Sequence, residues 1–346
     1  MSDVSSSFLW LARRFGVEDA AVLSAMEAAA HSLPRSRAVG VEIDFDGASA
    51  SQVDAIVGMK GRGFEQASWA SWAESHRSGG GTDAGTSRTE VAALLNDVVC
   101  ANVGASAPYS YAWLEADGSF EASHPPALIC EANSDSQADA LALPLTNELA
   151  QLLPETFEAV QRVPLANAAT MVGWMPGRAG TSKAAIRLYW DASVLRGEDV
   201  VASELLSAWH VPDELVDIVR SAHRERLACA VSVNATASGW FFDGVEIAPQ
   251  TRVDEEEWAS FDNWCSERLP TALHRGFEMR SVFARWDEQD GEKPFPDYLL
   301  GASVSLPDGQ HLEARARPSH LKLVRREQRL RIKVYGGIDF VSVSGD

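Results

Sequence analysis

A period-two alternation of side chains, repeated in one short segment after another, is the feature that most narrows what this chain can fold into. Residues two apart on a β-strand share a face. Over Val41–Asp46, Val41, Ile43 and Phe45 fall on one face and Glu42, Asp44 and Asp46 on the other. Over Lys183–Asp191, Ile186, Leu188 and Trp190 oppose Lys183, Arg187, Tyr189 and Asp191. Leu321 and Leu323 oppose His320 and Lys322, and Leu330, Ile332 and Val334 oppose Arg331, Lys333 and Tyr335. In Tyr109–Glu115 the large residues Tyr109, Tyr111, Trp113 and Glu115 share a face.

Two architectures satisfy this alternation. An open antiparallel sheet turns its polar face to water and packs its apolar face on helices. A closed barrel with helices outside turns its polar faces into a lumen. Solvent faces usually carry Thr, Lys, Glu and Ser, whereas here Arg, Lys, Tyr and Trp recur together, which favours the barrel. About ten strands enclose a ligand-sized cavity.

The order of elements agrees. A helix is expected over 5–33, a strand over 39–46 closed by Asp46-Gly47, and a helix over 51–75 carrying Trp69 and Trp72. The Gly-rich stretch 78–87 reads as a flexible loop before a helix over 88–102 and a hairpin of 109–116 with 127–132. Helices over 137–163, 199–226 and 253–274 then alternate with strand pairs 168–175/184–191 and 228–235/239–247. Strands near 277–286, 298–305, 311–317, 319–325 and 329–336 follow. Helix then hairpin, repeated, is an α+β pattern with antiparallel neighbours; a parallel sheet would need a crossover helix between successive strands. The whole of 1–346 is expected to form a single domain.

Composition excludes several functions. A net charge of −19 disfavours nucleic acid, whose phosphates repel an acidic chain. Against it, His311–Tyr335 carries eight Lys/Arg and two Glu. This basic strip reads either as a local anion site or as a solvated edge strand. No signal peptide and no membrane-spanning apolar run are readable. The four cysteines lie far apart with no CxxC pair, and read as free thiols of a reducing, cytoplasmic compartment. The eight histidines show no metal-ligand spacing, and no Walker A, GxGxxG or GxSxG motif occurs. The acidic runs 213–217 and 254–257 stand at helix starts, where the helix dipole favours carboxylates. The tryptophans at 69, 72, 258 and 264 are expected to pack helices on the sheet.

The segments KAAIRLYWD (183–191), HLKLV (320–324) and RLRIKVYGG (329–337) carry a further likeness. They resemble the basic-x-Tyr strands of the ABBA superfamily of aromatic prenyltransferases, in which αββα units build a ten-stranded antiparallel barrel inside a ring of helices. The resemblance implies transfer of an allylic group from dimethylallyl or geranyl diphosphate to an aromatic acceptor by a monomeric enzyme. Arg187, Lys322, Arg331 and Lys333 would hold the diphosphate, with Arg315 and Arg317 in reserve, since cationic donors stabilise departing pyrophosphate. Tyr189, Tyr335, Tyr109, Tyr111 and Trp113 would shield the allyl cation. Glu42, or Asp44 on the same face, would take the acceptor's proton. The resemblance requires no cofactor and is compatible with Mg2+. A second hypothesis of a different class stands beside it, a non-catalytic α/β protein that binds an anionic or hydrophobic small ligand.

Overall fold

The computed structural model of the chain describes residues 5–31, 33–36, 38–46, 49–59, 64–77, 93–94, 96–98, 109–116, 126–132, 141–176, 185–191, 199–251, 254–269, 279–285, 310–326 and 329–344. The expected N-terminal helix is two helices, α1 (Ser5–Arg14) and α2 (Ala20–Ala30). The chain turns between them at Gly16, whose φ of 74° suits a residue without Cβ. Asp19 then caps α2, its carboxylate accepting from the backbone N–H of Ala21 at 2.8 Å. β1 (Ala38–Asp46) lies where expected.

The largest correction follows it. The expected helix over 51–75 is instead a strand, β2 (Ser49–Met59), and then a helix, α3 (Phe64–Arg77). Val53, Ala55, Val57 and Met59 of β2 are buried, while Gln52, Asp54 and Ile56 face the other way, a period-two pattern muted by its small residues. Pairing with β1 from Ala38↔Gly58 to Asp46↔Ser49 overrides the weak local signal.

Beyond, β3 (Tyr109–Ala116) and β4 (Ala127–Ala132) form the expected hairpin. The helix expected over 137–163 is two, α4 (Pro144–Leu152) and α5 (Pro154–Gln161), because Pro154 cannot continue a helix and instead starts one. After β5 (Met171–Met175) and β6 (Ala185–Asp191), the helix over 199–226 also divides, into α6 (Asp199–Ala208) and α7 (Asp213–Arg224). His210 in the left-handed region and Pro212 make that break. The acids of α7's first turn, Asp213 and Glu214, face its positive dipole end, as do Glu255–Glu257 in α8 (Glu255–Arg268), which Asp254 caps. Between α7 and α8 lie β7 (Ala228–Thr236) and β8 (Gly239–Ala248).

The C-terminal strands differ in count and length from expectation. The segment near 277–286 is a 3-10 turn, Met279–Val282, and a two-residue strand, β9 (Ala284–Arg285). The strand expected over 298–305 lies outside the described residues. Those expected over 311–317 and 319–325 are one strand, β10 (Gln310–Arg326), whose register shifts between Pro318 and His320. β11 (Arg329–Ser344) runs eight residues past the expected end at 336.

The strands pair in the order β11-β1-β2-β3-β4-β5-β6-β7-β8-β10, and β10 pairs back onto β11. Every pairing is antiparallel. The result is a closed ten-stranded barrel with α-helices around it, and closure removes the free edges of an open sheet. β9 adds to β10 beyond the barrel, where β10 and β11 continue as a two-stranded arm past the rim. The core lies between the barrel's outer face and the helices. Ile43, Leu114, Leu188 and Val231 meet Phe8, Trp69, Trp209 and Trp258, each 0% exposed. Burial of each such side chain contributes roughly 1.5–3 kcal/mol. Gly336 is required there, because a Cβ would collide with the ring of Phe15 behind it. No helix among the described residues is long and apolar enough to cross a membrane.

Candidate functional site

The closed ten-stranded antiparallel barrel wrapped by α-helices is the architecture of the prenyltransferase barrel, the ABBA fold, and that fold directs attention to the lumen. The connections β1–β2, β3–β4, β5–β6, β7–β8 and β10–β11 share one end of the barrel. Toward the other end opens a cavity of about 560 Å3, within the size range of small-molecule sites.

Below the cavity the lumen is filled by ion pairs. Alternation brings Glu42, Asp44, Arg187, Tyr189, Lys322, Arg331, Lys333 and Tyr335 to the inner face, as the spacing predicts, while Val41, Ile43, Leu188, Leu321 and Leu323 pack outward. Asp243 is the residue that sequence reasoning misses. Parity groups it with the outward-facing Val245 and Ile247, yet a bulge in the β7–β8 pairing makes it the extra residue between Phe242 and Gly244. Bulges re-aim side chains, and this one turns the carboxylate inward. There it accepts from Arg187 Nη2 at 3.0 Å, Asn234 Nδ2 at 2.9 Å and Ser232 Oγ at 2.9 Å, and pairs with Lys322 Nζ at 2.7 Å. Gly244 keeps that path open, since a Cβ there would stand 2.7 Å from Lys322 Cε.

The electrostatics follow from these contacts. Burial alone would raise the pKa of Asp243, but Arg187 and Lys322 outweigh it and hold the carboxyl well below the usual range. Burial alone would discharge Arg187 and Lys322; Asp243 opposes this and keeps both firmly protonated. Lys322 Nζ also lies 3.4 Å from Glu246 and 5.3 Å from the centre of the Tyr189 ring. Lys333 and the Tyr335 hydroxyl both donate to Glu42, and Arg331 pairs with Asp44 at 3.0 Å. Burial first, then the Glu42 carboxylate, push the Tyr335 phenol well above its ordinary value.

On adjacent strands, Glu42, Asp54 and Glu115 bring one carboxylate oxygen each within 4.8 Å of the others, all at 3% exposure or less. Lys333 offsets part of that charge. Three hard oxygen donors converging in a buried site are compatible with a divalent cation of the Mg2+ type.

The cavity is walled mainly by aromatic and apolar groups. Tyr111 and Trp113 stack at 4.6 Å between ring centres, and Trp113 Nε1 donates to Glu131 at 3.3 Å. Across from them His320 stacks on Tyr335 at 4.0 Å, and Tyr189, Met171 and Phe340 complete much of the lining. Gly58 seats the Trp113 ring, since a Cβ there would lie 2.7 Å from its Cζ3.

Of the shielding aromatics expected together, Tyr109 does not join the others. A register shift between Tyr109 and Tyr111 turns it outward into the core, where its hydroxyl accepts from the Leu145 backbone N–H at 2.6 Å. Of the six cations expected at the diphosphate, Arg315 and Arg317 stand on the arm, paired with Glu313 at 2.7 Å and with Asp339, and Arg317 alone lines the cavity. The other four lie in the lumen beneath, each facing a carboxylate. No protein-family model matches the chain, and no curated protein matches it.

Proposed function

We propose that this barrel transfers an allylic prenyl group from a prenyl diphosphate, dimethylallyl or geranyl, to an aromatic acceptor. The observation that carries the reading is an aromatic-walled cavity resting directly on a layer of buried Lys, Arg and carboxylates, inside a barrel of this architecture. Ionisation breaks the allylic C–O bond, and pyrophosphate leaves with the electron pair. Arg187, Lys322, Arg331 and Lys333 supply positive potential from below, tempered by their carboxylates, and Arg317 supplies it at the rim. Tyr189, Tyr335, Tyr111 and Trp113 stabilise the allyl cation with their ring faces and exclude water.

The acceptor ring then forms the new C–C bond and loses a proton. Glu42 is not in the cavity wall, but Tyr335 is, and its hydroxyl donates to Glu42. The Tyr335 oxygen therefore gains the acceptor's proton as its own passes to Glu42. The high pKa of that phenol makes a concerted relay the accessible path, because free phenolate is costly. Glu42, Asp54 and Glu115 would hold a divalent cation, whose chemistry would be to neutralise diphosphate charge. A cation there claims the carboxylate that otherwise accepts the proton, so Mg2+ and chelator conditions are compared.

The test is incubation with each diphosphate and a panel of phenols and indoles, with MgCl2 or EDTA, following pyrophosphate release and product mass. Transfer that weakens with Lys333→Ala and Arg187→Ala is expected. Each lost charged contact corresponds to roughly tenfold or more in donor affinity. A second reading, a binding protein that performs no transfer, draws on the pairing of all six expected cations with carboxylates. Absence of product under every condition, with donor or acceptor still bound, would favour it.

A further inference from the structure

We infer that the cavity takes an organic cation, a planar aromatic ligand carrying an ammonium group. Its meaning as the acceptor of transfer rests on the function proposed above, whereas the binding itself does not.

The charges around the cavity carry the inference. Among the described residues that line it, Glu115, Glu131, Glu246 and Asp339 are carboxylates, and Arg317 is the one Lys or Arg, already spent on Asp339. His320, with Nε2 3.6 Å from a Glu246 oxygen, leaves the lining negative even when protonated. The lumen cations below do not reverse this, because each answers to a carboxylate: Arg187 to Asp243, Lys322 to Asp243 and Glu246, Arg331 to Asp44 and Lys333 to Glu42. In a recess walled by protein rather than water, the carboxylates of this wall attract a cation more strongly than the same charges on an open surface, and the donor's diphosphate is left to the Arg317 rim and the lumen cations. The walls add a second, independent preference. Stacked Tyr111–Trp113 and His320–Tyr335 offer flat surfaces for a planar ring, and the indole and phenol faces attract a cation through their quadrupoles. Ring and charge are thus requested by one cavity. Glu131 is the best-placed counter-ion, since its contact with Trp113 Nε1 ties the carboxylate to the edge of the stacking surface.

Tryptamine, 3-methylindole and indole-3-propionate share a ring and differ in charge, and calorimetry on the full chain without any prenyl donor ranks them. Tryptamine is expected to bind at least roughly tenfold more tightly than indole-3-propionate, with 3-methylindole between. Glu131→Gln keeps an oxygen for Trp113 while removing the charge, and Glu246→Gln provides a second variant on another strand. Each is expected to weaken tryptamine roughly tenfold and to leave 3-methylindole unchanged. Indole-3-propionate binding as tightly as tryptamine, tryptamine indifferent to both variants in folded protein, or no binding of any probe at millimolar concentration would overturn the inference. Tryptamine binding without any transfer in the donor assay would sink the transferase reading alone. Transfer to a neutral acceptor that tryptamine does not inhibit would sink the ammonium pocket alone.

Discussion

Asp243→Asn tests whether the lumen is held by its ion pairs. The carboxylate faces two cations, Arg187 at 3.0 Å and Lys322 at 2.7 Å, and two neutral donors, and its side chain is 13% exposed. Asparagine preserves the shape and one acceptor oxygen but leaves both cations short of a charge. Removing one partner of a buried pair costs about 3–5 kcal/mol. Lys322 keeps Glu246 at 3.4 Å and Arg187 keeps the Asn234 oxygen at 2.8 Å, so the lower figure, ~3 kcal/mol, is expected. Asp339→Asn is the control. It removes the partner of Arg317 at the rim, where the side chains are 42% and 31% exposed, and costs at most about 1 kcal/mol. Urea unfolding followed by tryptophan fluorescence compares the two. Adding Arg187→Met to Asp243→Asn removes one stranded charge and should recover part of the loss, giving a non-additive cycle. A loss in Asp243→Asn no larger than in Asp339→Asn, or strict additivity with Arg187→Met, would refute the reasoning.

Acid titration reads the same group by another route. Because its folded pKa is depressed, the stability it contributes is whole above the free-aspartate value of about 3.9 and drains as pH falls below it. Urea midpoints should therefore fall more steeply below about pH 4 in the native protein than in Asp243→Asn; parallel curves would count against the assignment. Glu42→Gln should slow prenyl transfer roughly 10²- to 10⁴-fold in chelator while donor affinity does not fall; a fully active variant would remove Glu42 from the proton path, and Asp44→Asn is the companion measurement. Gly58→Ala puts a methyl 2.7 Å from Trp113 Cζ3 and 3.0 Å from Tyr111 Cε1. The stack must shift into the cavity, so tryptamine affinity should drop while the fold survives a loss of about 1–3 kcal/mol; unchanged affinity by calorimetry would show that the stack is not a binding surface.

Much of the barrel was legible in the sequence because side-chain parity is local. Glu42, Arg187, Lys322 and Lys333 face inward, and Ile43, Leu188 and Leu323 outward, on a period that backbone geometry alone imposes. Helix starts at Asp213 and Glu255 were legible for the same reason, since a cap or dipole acts within one turn. Pro154 and Pro212 carried breaks of equal locality within helices expected to be continuous. What the sequence could not carry depends on partners far along the chain. β2 has its alternation muted by Ser, Ala and Gly, and becomes a strand by pairing with β1 and β3. Closure needs β1 beside β11, nearly the full chain apart. Two bulges then override parity in opposite senses, turning Tyr109 out of the lumen and Asp243 into it. Neither bulge has a local signature, because each is set by the register between two strands. The lumen cations had the same blind spot. Their residue types announced an anion site, but whether each meets an anion or a carboxylate of its own protein is decided by which strands lie side by side. Coulomb attraction depends on distances that only the closed barrel defines.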